Sequence, residues 1–354
     1  MKKIWLIILA TLAILGGTGY YYYDQLFSPV LNKSFEHKEL KIKTGSTFED
    51  VIYQLKQNKQ LKRENGFKWL SAKMGYHDKT IKPGRYVLTP GMNNISLVRL
   101  LRSGNQTPVK VVIYEGRTPD EIIRKAEDDI EANTEELLDT LYSDHFLKSI
   151  GKTRDNAMSI FIPNTYEVYW NISAANFLIK MKQEADKFWN KNDRAALAKQ
   201  KGLTPDEAYT LASIVEKESN YAPEKPFIAG VYLNRLKKGI LLQADPTVVF
   251  AKKAFTLQRI KNADLNFKSP YNTYLNSGLP PGPISIASIE SIEAVLHAPE
   301  NDYLFFCAKP GTSGQHNFAA TLSQHNANAR KFHEWLNEWE AKKAAVKDTL
   351  QLAN

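Results

Sequence analysis

The residues best suited to chemistry fall in one stretch, 204–220, TPDEAYTLASIVEKESN, where two glutamates stand two positions apart. The pattern predicts one amphipathic helix. Thr204 serves as N-cap, Pro205 takes the first helical position and Glu207 closes a capping box. At ~100° per residue, Leu211, Ile214 and Val215 share a face, and Glu218 continues that stripe one turn later. Glu216 points roughly the opposite way, onto the flank. Asn220 and Pro223 supply stop signals, which leaves Glu218 in the last turn. An acid on a core-facing stripe, near the negative end of a helix dipole, holds its proton more tightly than a free glutamate. That is the profile of a general acid. The competing reading is a glutamate at the edge of the stripe that simply reaches water, the usual fate of this residue.

Other chemistries have less to stand on. His297, His316 and His325 lie in the carboxy-terminal third, but their spacing fits neither a His-Glu-x-x-His helix nor a Cys/His cluster, so no metal is expected. No serine sits in a G-x-S-x-G context, and no P-loop or G-x-G-x-x-G occurs, so acyl-transfer and nucleotide chemistry lack a basis and no cofactor is expected. Cys307 is the single cysteine. It lies in the apolar run 303–308, cannot form an intramolecular disulfide, and reads as a core residue. The net charge of +9 is carried by scattered residues. Without a basic block or an aromatic–basic repeat, nucleic acid is not an expected partner, whereas an anionic membrane or wall polymer is compatible.

The elements that must position Glu218 come from a chain of 354 residues, long enough for an anchor and two domains. Hydrophobic residues at 43% and aromatics at 11% imply a folded core. Strands are expected at 39–43, 84–88, 109–114 and 303–308. Helices are expected from 48 to about 55, at 64–74, at 97–101 with Asn94 or Ser96 as cap, after Thr118, at 134–141, 177–190, 194–201, 226–236, 288–297 and 323–346. Residues 241–247 read as a loop or short strand, 269–283 as a Pro/Gly/Asn-rich loop, and 311–314 as a tight turn.

The amino terminus is different in kind. Residues 4–23, IWLIILATLAILGGTGYYYY, carry no charge and can cross ~30 Å of hydrocarbon as a helix. Lys2 and Lys3 before them favour a cytoplasmic amino terminus with the remainder outside, and the tyrosines suit the interfacial belt. A cleaved signal peptide competes, since 17–19 is a small-residue stretch, but the length of the run and the bulky tyrosines favour an uncleaved anchor. With no cysteine following, a lipidated amino terminus is not expected.

A set of motifs in order gives a resemblance. Glu115-Gly116-Arg117-Thr118, Pro163-Asn164-Thr165-Tyr166, LASIVEKE at 211–218, Tyr232-Leu233-Asn234-Arg235-Leu236, LQADPTV at 242–248 and YNTYLNSGLPP at 271–281 are followed by His316-Asn317-Phe318 and His325-Asn326. With the amino-terminal anchor, the set resembles the YceG-like endolytic murein transglycosylases over roughly residues 40–340. Asn164 departs from the aspartate usual there, which argues against proton transfer at that position. The resemblance implies cleavage of the MurNAc-β-1,4-GlcNAc bond within peptidoglycan glycan strands. The muramyl C6 hydroxyl closes on C1 to leave a 1,6-anhydro end, and Glu218 is the matching acid. One carboxyl then serves as acid and base, unlike the paired carboxyls of ordinary glycosidases. Glu216 is expected to make a structural hydrogen bond or salt bridge. Gln243, Asp245, Asn272, Tyr274 and Tyr166 are expected to bind substrate or support the cleft, and Asn234 and Arg235 to orient it. Asp-Pro is also a common turn starter.

The expected fold class is α+β: one transmembrane helix, a small α+β subdomain resembling a LysM module, and a larger mixed catalytic domain. The expected boundaries are 1–24 for cytoplasmic terminus and anchor, 25–37 spacer, 38–114 LysM-like subdomain, 115–345 catalytic domain and 346–354 tail. LysM modules bind N-acetylated glycans; a plain spacer or packing domain is the alternative. The expected setting is the cytoplasmic membrane, single-pass, near peptidoglycan synthases, with a role in ending glycan strands. A hydrolytic muramidase using Glu218 and Asp245, or a non-catalytic peptidoglycan-binding scaffold, are the competing functions.

Overall fold

Capping signals written in the sequence become hydrogen bonds in the fold. A computed structural model of the chain describes residues 2–257, 260–311 and 314–352. It divides into two units, one built on the chain up to Val111 with Glu127–Ala132 and Tyr166–Ser173, the other on the remainder.

The first unit begins with α1 (Lys2–Phe27), which has no buried residue and is the one helix among the described residues long and apolar enough to cross a membrane. Helices of this kind serve as anchors or as signal sequences. Its carboxy-terminal end is tied down: Asp24 pairs with Arg63 at 2.5 Å, and the Asn94 amide donates to the carbonyls of Gln25 and Gly66. Next come β1 (Glu39–Ile42), α2 (Phe48–Gln57), α3 (Glu64–Lys73), β2 (Gly84–Val87), α4 (Asn94–Ser103) and β3 (Val109–Ile113). Strands β1 and β2 pair antiparallel, Leu40 opposite Tyr86 and Ile42 opposite Gly84. Leu40, Ile42 and Tyr86 turn inward onto Val51, Leu55, Phe67 and Leu97, so alternation in the strands meets the 3.6 period of the helices in one core. Thr47 and Asp50 close a capping box on α2. The cap of α4 is Asn93, accepting from the Ser96 N–H, and not Asn94 or Ser96 as expected. Asn94 is drawn into the core instead by its two carbonyl partners.

The second unit holds α5 (Pro119–Ala126), α6 (Thr134–Leu141), α7 (Asp144–Ser149), α8 (Ala174–Asn190), α9 (Arg194–Gln200), α10 (Pro205–Glu218), α11 (Lys225–Lys237), α12 (Asp245–Ala251), α13 (Ile289–Leu296) and α14 (Leu322–Leu352); β5 (Phe305–Ala308) and β6 (His316–Ala319) lie between α13 and α14, and β4 (Asn164–Val168), before α8, falls mostly in the first unit. Strands β5 and β6 form an antiparallel pair with Phe306 opposite Phe318. The sequence pattern missed α7, β4 and β6, and read the start of α12 as part of a loop or short strand. The turn expected at 311–314 includes residues outside the described ones. Cys307 is only half-buried, because β5 covers one edge of the core and does not run through it.

At the centre stands α10. Its Thr204–Glu207 capping box forms as expected. The helix is not amphipathic in place, however: every residue from 208 to 215 is buried, with α9, α11, α12 and α13 packed around it. Thr210 and Ser213 survive in this core because their hydroxyls bond back to the carbonyls of Asp206 and Thr210. Ser213 also accepts from the Ile284 N–H, which docks the proline-rich loop on the helix. Gly282 lets that loop pass another chain segment, since a Cβ there would lie 1.9 Å from the Asp155 carbonyl oxygen.

Candidate active site

The last turn of α10 leaves the crowded core and delivers Glu218 to a cavity of about 330 Å³. Arg117, Lys217, Asp245, Phe250 and Ile284 are among the residues around it. The helix ends at Glu218, and Ser219 is extended, so the carboxyl stands where the backbone turns away. Its Oε1 accepts a 2.6 Å hydrogen bond from the Tyr232 hydroxyl on α11. Burial raises the Glu218 pKa to about 7; the Tyr232 bond opposes that rise, the Asp245 charge adds to it and Arg235 opposes it. Burial holds the Tyr232 phenol well above its ordinary range, so it stays a donor. A carboxyl of this kind is protonated in a useful fraction near neutrality and can give that proton to a leaving oxygen.

Glu216, two residues earlier, has the opposite setting. Its Oε2 accepts from Ser288 and Ser291 on the α13 side, each at 2.5 Å, and from the Lys225 ammonium at 3.2 Å. Burial pushes its pKa up, but the two hydroxyls and Lys225 outweigh it and hold the carboxyl below the ordinary range. This group is a brace between α10, α11 and α13.

Two loops complete the site, and buried threonines join them. The Ala244 N–H donates to Thr273 Oγ1 at 3.0 Å, Thr247 Oγ1 meets Thr273 Oγ1 at 2.9 Å, and the Gln243 N–H donates to the Thr273 carbonyl. The DPTV and YNTY motifs are thus two sides of one clasp. It carries Asp245 at the start of α12, where Oδ1 accepts from the Tyr274 hydroxyl at 2.6 Å. Gln243 takes a left-handed backbone, φ 51°, at the bend before it, the sort of local strain that persists where surrounding bonds enforce it. Its side-chain oxygen faces Arg235 at 3.4 Å. Arg235 is buried and spends its guanidinium on the carbonyls of Leu304, Leu241 and Leu242, fixing the loop to β5.

The structure therefore brings Glu218, Asp245, Tyr274, Arg235 and Gln243 together. Asn234 binds the carbonyls of Asn301 and Tyr303, a loop-holding role. Asn272 is 0% exposed and donates to the carbonyls of Leu265 and Phe267, so it shapes its loop from inside. Tyr166 lies buried in β4 and belongs to the first unit. The three histidines part company: His316 meets Glu224, His297 meets Glu293, and His325 stacks on Phe305. Sequence reasoning missed Tyr232, Arg117 and Lys217 as site residues. The signal available for Tyr232 was a tyrosine within the apolar stripe of α11, since a buried phenol needs a partner for its hydroxyl.

The chain is similar to known proteins over most of its length. The chain is 30% identical over 343 residues to the endolytic murein transglycosylase of Bacillus subtilis (strain 168), across 92% of each protein. It is 27% identical to the endolytic murein transglycosylase of Streptococcus pneumoniae serotype 2 (strain D39), across 91% of this chain and 63% of that one. Among solved structures, a YceG-like protein of Listeria monocytogenes is similar with a TM-score of 0.53 and 29% identity, covering 82% of this chain and 98% of that one. Residues 40–331, including α10, both loops of the clasp and the β5–β6 pair, match the YceG-like family, and the chain belongs to it.

Proposed function

We propose that this protein is a membrane-anchored lytic transglycosylase that cuts the MurNAc-β-1,4-GlcNAc bond inside glycan strands of peptidoglycan. The observation that carries the reading is Glu218, a carboxyl with its pKa raised to about 7, facing a cavity and held at Oε1 by Tyr232. The protonated acid gives its proton to the glycosidic oxygen as the C1–O bond breaks, and the GlcNAc end leaves as an alcohol. Positive charge develops at C1 and the ring oxygen. The resulting Glu218 carboxylate then takes the proton of the muramyl C6 hydroxyl while O6 bonds to C1. No water is consumed, and the carboxyl ends protonated, ready for another turn. Tyr232 keeps the carboxyl aimed in both states.

Supporting this reading are the family and its relatives named endolytic murein transglycosylases. Helix α1, which opens on Lys2 and Lys3, supports anchoring with the catalytic unit outside the cytoplasmic membrane. From there the enzyme meets new strands close to their synthases and ends their growth. The β-α-α-β order of residues 39–87 supports a LysM-like role for the first unit.

Asp245 beside the same cavity favours one second reading, a muramidase in which that carboxylate activates water. Mass analysis of digested uncrosslinked strands separates the two. Anhydro ends are lighter by one water than reducing ends; reducing ends alone would overturn the lytic reading. Undiminished cutting by Glu218→Gln protein would overturn both, and no cutting by the wild type would leave a glycan-binding scaffold.

A further inference from the structure

The Glu115-Gly116-Arg117-Thr118 motif has no part in the chemistry above, yet Arg117 reaches the cavity of Glu218. Its backbone N–H donates to Glu121 at 2.8 Å, which fixes the start of α5. Its guanidinium crosses to the Phe255 ring, 5.2 Å away, and Nη1 donates to the Phe255 carbonyl at 2.9 Å. One nitrogen is thereby anchored and the rest of the fork is left for another acceptor. Lys217 lies at the same cavity. Among the described residues neither cation forms an ion pair.

Several other cations of this unit do form ion pairs, while the buried Arg235 spends its guanidinium on carbonyls. Lys225 pairs with Glu216 and Glu290, Arg194 with Glu293, Lys152 with Asp206 and Lys252 with Asp264. Burial and the neighbouring Arg117 charge push the Lys217 pKa down, while Glu216, Glu115 and Glu121 pull it back up. Besides Glu218, Asp245 is the acid lining this cavity among the described residues, and the Tyr274 hydroxyl caps it. Arg117 and Lys217 thus stand at the cavity of Glu218 with no carboxylate in an ion pair with either among the described residues.

We propose that Arg117 and Lys217 form a carboxylate subsite that reads the side arm on O3 of the muramoyl residue being cut. This rests on the glycan-cleaving function proposed above. N-acetylated sugar rings are neutral, so the arm is where a strand carries negative charge. It is borne by the free lactyl group where the arm is bare and by the peptide's carboxylates where it is extended. Both offer a planar anion suited to an arginine fork and a lysine ammonium.

The test measures cleavage by wild-type and Lys217→Gln protein on three strand preparations: bare lactyl arms, the same arms converted to neutral methylamides, and arms carrying peptide. On charged strands Lys217→Gln should raise KM roughly tenfold with kcat little changed, and Lys217→Arg should restore most of the loss. On methylamide strands wild type and variant should coincide. A difference on bare strands identifies the lactyl carboxylate; one confined to peptide-bearing strands identifies the peptide. Equal losses on charged and neutral strands, or no loss anywhere, would overturn the subsite. Arg117→Gln repeats the comparison with its fold checked by thermal melting, because Arg117 also braces Phe255. The end groups, read in the same digests, keep the two ideas separable: anhydro ends sustain the lytic function whatever KM does.

Discussion

Two carboxyls on one helix turn, Glu216 and Glu218, have been given opposite properties by what surrounds them. Both leave bulk water, and burial pushes both pKa values up. Glu216 then meets two hydroxyls and an ammonium and ends below the ordinary range, whereas Glu218 meets one phenol and a nearby carboxylate and ends near 7. Burial alone does not make a general acid. The balance of donors against burial does, and here a rotation of roughly 200° around the helix decides which balance each residue receives.

The comparison predicts opposite linkage to pH. For Glu218 the folded pKa lies above the unfolded one, so its stability contribution is complete below the ordinary 4.5 and is lost as pH rises toward 7. For Glu216 the folded pKa lies below, so its contribution is present above the ordinary carboxyl range and is lost as pH falls through the depressed value.

The largest expected effect is on rate. Glu218→Gln should lower cleavage roughly 10²–10⁴-fold, measured as anhydro ends released per minute. The same variant should be more stable than wild type at pH 8, by on the order of 3 kcal/mol in urea unfolding, since it removes an enclosed carboxylate. Equal stability there would mean the carboxyl is solvated and not raised.

Next, Glu216→Ala should cost roughly 3 kcal/mol of stability, because the buried Lys225 ammonium keeps only the exposed Glu290 as partner. Its folded fraction should keep the wild-type alkaline limb of the pH–rate profile. If that limb moved, the separation of brace from acid would fail.

A smaller effect is expected for Tyr232→Phe, which keeps the ring against Phe306 and deletes only the donor. Losing a bond that favours the carboxylate should lift the alkaline limb by up to about one pH unit. Smallest of all, Asp245→Asn removes a charge that holds the proton on Glu218, so the limb should move down by roughly half a unit. Loss of all activity in that variant would instead favour water activation by Asp245.

Much of the site was legible in the chain. The Thr204 cap, Pro205, the apolar stripe and the stop after Glu218 are local signals, and local hydrogen bonds honoured them. Helices with strong caps or clear periodicity fell where the pattern placed them. What escaped were short elements held by neighbours, such as β6, whose partner β5 is the reason it is extended, and α12, whose Asp-Pro start reads equally as a turn. Asn272 shows the same limit at the site: a loop asparagine looks like a ligand for sugar until its amide is found spent on two carbonyls.

By itself, then, the sequence determined which helix carries the proposed acid, which of two glutamates continues its apolar stripe, and which motifs travel with it, because capping and periodicity act over a few residues. Only the tertiary structure decided that Tyr232 grips Glu218, that Ser288, Ser291 and Lys225 claim Glu216, and that Thr247 and Thr273 lock Asp245 in place. Those partners lie 9 to 75 positions apart in the chain, and a carboxyl's proton affinity is set by whatever folding brings against it.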